Sequence, residues 1–470
     1  MPAQPVHAFT DDVLGDHDAT AVAELVKAKE VTAREVTEAA IARAEAVQAA
    51  LNGVHVPDYE RALAVADSLP DGPFTGVPTY IKDNIDVEGL PTNHGTASFT
   101  ARPARKESPL VQEFRGLGLN LLGKSRLPEF GFSASTEYAG ADPVRNPWNP
   151  AYSAGASSGG AAALVAAGVV PMAHANDGGG SIRIPAAACG LVGLKPTRGR
   201  FVDDPHDTQL PVRIIGQGMV TRSVRDTARF FAGMEQQWRN PKLPPVRAVA
   251  GPSATRLRVG LVLDSVNDNP TDPETRSAVE RTARLLEDLG HRVDEMAAPV
   301  PARFADDFAH YWALLGYLAM KTGKHTFDRS FDPALTEDLT QGLARRFRSA
   351  WLDTPGMLLR LRGAAATYRK VFQDYDVFVS PVLSHTTPAI GHLAATLPFD
   401  DLFPRLEAYV GFTPLNNVTG GPAMSLPLAT TESGLPIGIH VAADIGDERT
   451  LLELAYELEQ AHPFARIQDA

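Results

Sequence analysis

The chain has 470 residues, with 44 Lys and Arg against 56 Asp and Glu, a formal net charge of −12. Its 44% apolar and 21% charged content excludes bulk disorder. The acidic balance argues against nucleic acid as a main partner, because phosphate binding needs a basic face.

Two helices are expected first. In the second, Thr32 and Glu35 form a capping-box pattern, Val36, Ala40, Ala44, Val47 and Leu51 recur at helical spacing, and Asn52-Gly53 ends it. A strand is predicted over Thr79–Val87, carrying Lys82 and Asp83, and a short buried strand over Leu119–Leu122. Trp148–Ser153 reads as a loop. The Gly155–Gly160 loop leads into an Ala-rich helix over Ala161–Gly168, then a strand over Val169–Ala175 and a glycine loop over Asn176–Gly180. Leu191–Leu194 is strand-like. Past residue 235 the composition shifts, with a Pro/Ala linker over Pro241–Pro252. Next come a strand over Arg256–Leu263, a helix over Pro273–Leu289, a strand over His291–Glu295 and a mostly helical, aromatic-rich stretch over 303–372. Strands at Val377–Val379, Met424–Leu428 and Gly438–Val441 and a helix over Glu448–Glu459 close the chain. Alternating strands and helices imply an α/β fold with a central mixed β-sheet covered by helices on both faces, plus a helical insert.

The single cysteine, Cys189, excludes an internal disulfide and fits a reducing compartment. Met1–Asp18 has neither a basic nor an apolar leader-like region, and the longest apolar run, Ala161–Val170, is too short to span a bilayer. The expectation is a cytoplasmic protein with no membrane partner.

Three motif matches compete. Gly118 to Ser125 satisfies the phosphate-loop pattern, but its intervening residues are themselves the apolar strand and Pro128 follows closely, whereas a phosphate cradle needs a strand before and a helix after. Gly155-Ala-Ser157-Ser-Gly159 satisfies the nucleophile-elbow pattern, which needs a strand immediately upstream. Asp177-Gly-Gly-Gly-Ser181 places a serine after three glycines, a stretch able to turn N–H groups toward an oxyanion beside a hydroxyl. Lys82, Lys124 and Lys195 are equal candidates for a base by residue type.

Taken together, the segments 155–160, Asp177–Ala186, Gly190–Thr197, Ile81–Asn84, Gly123–Phe130, Asn417–Ala423 and Gly434–Gly438 resemble the ordered blocks of the amidase signature family, with Gly178 and Ala156 where that family usually has Thr and Gly. The resemblance spans about residues 20–460. It implies one domain over 1–470, with a core over 18–235 and 373–465 and an insert over 253–372. It also implies a Ser–cis-Ser–Lys hydrolase of amide C–N bonds. Carried over by position, Ser181 is the nucleophile, Ser157 the bridging serine after a cis bond, and Lys82 the base. The N–H groups of Gly178, Gly179 and Gly180, with that of Ser181 itself, form the oxyanion hole, with Ser158, Asp177 and Arg183 supporting. A neutral lysine near pH 7 requires a depression of roughly 3 pKa units, which burial can supply.

No metal and no cofactor are implied. The partner is a small-molecule amide, cyclic or oligomeric amides, anilides and carbamates being the classes in view, and a homodimer is left open. Two alternatives remain. One is the glutaminase-like A subunit of a tRNA-dependent amidotransferase, whose Ser-Ile-Arg-Gln-Pro-Ala this chain lacks, having Ile184 in place of Gln. The other is an α/β-hydrolase-like esterase with Ser157 as nucleophile. Phe132, Tyr138 and Phe412 are the pocket candidates; the aromatic-rich stretch over 303–351 is a second source of pocket lining, although the helical spacing of Phe308, Trp312, Leu315 and Ala319 favours plain packing for most of them.

Overall fold

The structure, a computed structural model, describes residues 4–470 except 206, 268 and 302; Met1 to Ala3, part of the stretch read for a leader, lie outside it. β1 (Val54–Pro57), β2 (Pro78–Lys82) and β3 (Asn120–Ser125) form a three-stranded sheet in the order β1-β3-β2. β4 (Arg145–Asn146) and β5 (Asn149–Ser153) form a two-stranded ribbon. The large sheet holds β6 (Met172–Asp177), β7 (Val192–Lys195), β8 (Gly216–Thr221), β9 (Arg258–Leu261), β10 (Arg292–Glu295), β11 (Val377–Pro381), β12 (Ala423–Thr430) and β13 (Pro436–Ala443). Its order is β10-β9-β11-β13-β12-β7-β8-β6. The β9 pairs are parallel and the others antiparallel, so the sheet is mixed.

The predicted insert therefore does more than decorate the core: residues 258–261 and 292–295 build one end of the same sheet. Its helices, Phe304–Thr326, Asp338–Ser349 and Thr354–Val371, pack in a second apolar cluster with Tyr311, Leu343, Leu361 and Phe403. The larger cluster joins the first helices to the inner face of the sheet through residues such as Val36, Ala44, Leu164, Val220 and Ile439. The wholly buried helix Gly159–Ala166 lies within it, its Gly/Ala surface allowing close backbone approach.

Several sequence expectations are corrected. The strand predicted to Val87 stops at Lys82, where the chain turns as Ile85 N–H bonds Lys82 O. The strand predicted over Leu119–Leu122 runs on through Gly123-Lys124-Ser125, whose residues pair with β2. The phosphate-loop residues thus lie in a ladder rather than a cradle. The predicted loop Trp148–Ser153 contains β5, so a strand does precede Gly155, although it belongs to the separate ribbon. Its Asn and Pro residues read as a turn because those residue types are enriched in turns and depleted in strands. β8 escapes the pattern because its glycines interrupt the apolar run, yet it lies between β6 and β7. The capping box at Thr32 and the left-handed C-cap at Asn52 form as read. Among the described residues no helix is long and apolar enough to cross a membrane.

Candidate active site

β2 and β6 end side by side. Thr79 Oγ1 donates to Met172 O at 3.0 Å, and Lys82 N–H donates to His174 Nδ1 at 3.1 Å. With Nδ1 accepting, the ring proton sits on Nε2 and bonds Gln217 Oε1 at 3.1 Å. Burial holds the His174 pKa down at about 3, so this link is neutral. It brings Lys82 out of β2 toward the start of the helix Gly159–Ala166. There Lys82 Nζ lies 2.7 Å from Ser157 Oγ and 2.7 Å from Asn176 Oδ1. The Ala156–Ser157 peptide is cis. Ser158 Oγ donates to Ser181 O at 2.6 Å, tying the two serine loops together.

Lys82 has no exposed surface. Burial drives its pKa down to about 7, against the opposing pull of the Asp177 and Asp207 carboxylates. Of the rival lysines, Lys195 is also brought to about 7 by burial and the nearby Arg183 charge, but its amine donates to Pro196 O. Lys124 is paired with Asp83 at 2.6 Å and donates to Pro91 O and Thr92 Oγ1. Only Lys82 has its amine on a candidate serine.

Asp177 closes β6 and organises the glycine loop. Its two oxygens accept from Gly180 N at 2.7 Å, Ile182 N at 3.1 Å and Asn417 Nδ2 at 2.8 Å. Burial pushes its carboxyl up, but the Arg183 charge and these bonds outweigh that and hold it well below the usual carboxylate range. Arg183 also donates to Asn417 Oδ1 at 2.7 Å and to His440 Nε2 at 3.0 Å. His440 then carries its proton on Nδ1, toward Ser380 Oγ at 3.1 Å. The Gly180 N–H, one of the expected oxyanion donors, is thus engaged by Asp177.

A cavity of about 130 Å³ opens over these groups. That is close to the volume at which an engineered apolar cavity accepts benzene. Ser157, Ser181, Gly178 and Gly179 lie on its wall with Asn84 and Asn176; Ser158, Asp177, Gly180 and Arg183 do not line it but are bonded to the serine loops or to one another. Of the pocket candidates, Phe132 lines it. Tyr138 does not: it faces a different cavity and donates its hydroxyl to Leu127 O at 2.9 Å. Phe412 is buried in the second apolar cluster, away from the wall. Of the two readings open for the insert, packing and pocket lining, both hold: Phe308, Tyr311, Trp312 and Leu315 lie on the cavity wall and pack on the helices at the same time, so the preference for packing alone is corrected at Phe308, Trp312 and Leu315. One helical face carries both roles, which spacing cannot distinguish.

Sequence reasoning gave no role to Asn84, Asn176, His174 or Asn417. A signal existed for two of them: His174 and Asn176 stand two apart on β6 and so share one face of the strand. Among the described residues no group of three or more His, Cys, Asp or Glu is placed to hold a metal ion.

The Amidase family model matches residues 35–452. The chain is 49% identical over 465 residues to the Mycobacterium tuberculosis protein named "Putative amidase AmiC", covering 98% of each. It is 33% identical to the 6-aminohexanoate-cyclic-dimer hydrolase of Paenarthrobacter ureafaciens, covering 95% of each. Among solved structures, a 6-aminohexanoate cyclic dimer hydrolase complexed with substrate superposes with a TM-score of 0.87 at 32% identity, covering 97% of this chain and 99% of that one. A bacterial aryl acylamidase gives 0.85 at 26% identity, covering 96% and 98%. The chain belongs to the amidase family. It is an amidohydrolase, a hydrolase of amide C–N bonds.

Proposed function

We propose that the chain hydrolyses neutral, largely apolar amides through an acyl-enzyme on Ser181, with Ser157 as relay and Lys82 as base. Ser181 Oγ attacks the carbonyl carbon while its proton passes to Ser157 Oγ, whose own proton passes to Lys82 Nζ. The oxyanion is met by the N–H groups of Gly178, Gly179 and Ser181. Lys82 returns the proton through Ser157 to the leaving nitrogen, the C–N bond breaks, and water then cleaves the ester by the same relay. The 2.7 Å contact between Lys82 and Ser157 carries this reading, since it joins a buried base to a hydroxyl on the cavity wall shared with Ser181.

The wall supports the substrate class. Its lining includes no Asp, Glu, Lys or Arg. A glutamine substrate would bury an ammonium and a carboxylate without partners, at a cost of several kcal/mol. Cyclic amides and anilides carry no such charges. This weighs against the amidotransferase reading, and the lysine partner of Ser157 weighs against an esterase triad with histidine. Carbamate cleavage, a one-domain chain, a homodimer and a cytoplasmic location belong to the same reading and rest on sequence alone.

The test is a hydrolysis panel of cyclic amides, anilides, carbamates, esters and glutamine, with fluorophosphonate labelling. We expect turnover of neutral amides, an adduct on Ser181, and loss of both in Ser181→Ala. An adduct on Ser157 with Ser181→Ala still active, or turnover of glutamine alone, would overturn the proposal.

A further inference from the structure

Three polar atoms surround the Lys82 amine: Ser157 Oγ at 2.7 Å, Asn176 Oδ1 at 2.7 Å and the Asn176 backbone oxygen at 3.4 Å. A neutral amine has two N–H groups and one lone pair, and an ammonium has three N–H groups. Both Asn176 oxygens can only accept, whereas the Ser157 hydroxyl can donate or accept. The two N–H groups of the neutral amine therefore go to Asn176, and the lone pair is left facing Ser157. The Asn176 amide is paired with Asn84 and oriented by the amine that donates to its Oδ1: Asn176 Nδ2 donates to Asn84 Oδ1 at 3.1 Å, and Asn84 Nδ2 reaches Asn176 Oδ1 at 3.4 Å. Turned over, the amide would aim two N–H donors at an amine that needs acceptors.

Building on the Ser–Ser–Lys reading above, we propose that Asn176, held in register by Asn84, is the positioning residue that aims the Lys82 lone pair at Ser157. When the Ser157 proton reaches Nζ, the resulting ammonium keeps its bonds to both Asn176 oxygens and donates the third N–H back to the Ser157 oxygen. One N–H bond forms and one O–H bond breaks, with no side chain required to move. The other charged or titratable groups facing Lys82 are Asp177 and Asp207, which favour its charged form, and His174, which is neutral; the neighbouring Lys124 is neutralised by Asp83.

The experiment is the pH dependence of kcat and kcat/KM on a neutral anilide for the full chain and for Asn176→Ala, Asn176→Asp, Asn84→Ala and Lys82→Ala. Where turnover is too slow, the pH dependence of fluorophosphonate labelling of Ser181 reads the same limb. Asn176→Ala should lower kcat by about 10²-fold, the scale of a small misplacement in a site, with KM within a few-fold. Its acidic limb should move to lower pH, because an acceptor for the ammonium is gone. Asn176→Asp should move that limb to higher pH, because a carboxylate favours the ammonium. Asn84→Ala, which leaves Asn176 in place, should give a smaller loss with the same KM and carries the test should Asn176→Ala not fold. Acidic limbs that stay put or move in the same direction in both Asn176 variants would overturn the positioning role. Retained activity in Lys82→Ala would instead overturn the triad reading, so the two failures are distinguishable.

Discussion

The Arg183 guanidinium meets the Asp177 carboxylate through two bonds of 2.9 Å, both side chains without exposed surface, directly behind the loop that carries Ser181. Asp177 belongs to the end of β6 and Arg183 to the start of the next helix, so the pair closes the seven-residue stretch that includes the glycines. Asn417 brings the distant carboxy-terminal part of the chain onto the same pair. Removing one partner of a buried ion pair leaves the other charge uncompensated, at a cost of about 3–5 kcal/mol. Asp177→Ala is therefore expected to lower the urea midpoint by that amount divided by the m-value, and to abolish labelling of Ser181 under conditions where the protein remains folded.

The acidic limb of kcat/KM should fall near pH 7. The base works only when neutral, and the pKa of Lys82 is lowered to about 7, so the active fraction rises tenfold per pH unit below that point and levels off above it. Lys82→Ala should cost about 10²–10⁴-fold in kcat/KM. Lys195 has a similarly lowered pKa, but its amine bonds Pro196 O, so Lys195→Ala should leave the acidic limb in place. A pH–rate profile of the three proteins checks this.

Gly178 and Gly180 should respond differently to alanine. Gly180 has φ +134°, where L side chains are strained, and an added Cβ would collide with Thr413 Oγ1 and stand 2.7 Å from Ile184 Cδ1. At Gly178 the nearest atom would be Ile215 Cγ1 at 3.6 Å, an ordinary contact. Gly180→Ala is expected to lose about 2 kcal/mol of stability and at least about 10²-fold in rate. Gly178→Ala should fold normally and stay within a few-fold of the parent, as measured by thermal melts and anilide turnover.

Trp312→Ala should widen the cavity and change which amides turn over best. The indole lies on the wall and packs against Phe403 with ring centroids 5.6 Å apart. Its removal should raise kcat/KM for a bulky acyl group relative to a small one by about tenfold, the scale on which an apolar pocket discriminates size. Competition between two anilides differing only in the acyl group measures the ratio. Because no charge is added, glutamine should remain a poor substrate.

Much of this was legible in one dimension. The Thr32 capping box, the Pro273 helix and the β11–β13 core strands follow from local patterning, which depends on neighbours a few residues away. The serine and lysine candidates lie in short stretches whose composition is itself the signal. β8 and β5 were hidden for the opposite reason: glycine, asparagine and proline carry no strand signal, and pairing makes these residues extended, β8 with β6 and β5 with its neighbour β4 and, at Tyr152, with the distant Ala389. The aromatic face of the helix Phe304–Thr326 was legible as apolar but not as pocket-lining, since spacing shows which residues share a face and not what that face meets.

By itself the sequence determined the class of chemistry, because the ordered blocks that resemble the amidase signature family are local facts of residue order; the hydroxyls, lysines and glycines alone left three motif readings open. Which lysine meets which serine, which backbone N–H is already engaged and which aromatics line the cavity were decided only by the tertiary structure. Those are matters of distance between segments far apart in the chain, such as Asn417 and Asp177, 240 residues apart. The lowering of the Lys82 pKa is of the same kind: it comes from the loss of water around the amine, and that loss exists only once the sheets and helices have closed over it.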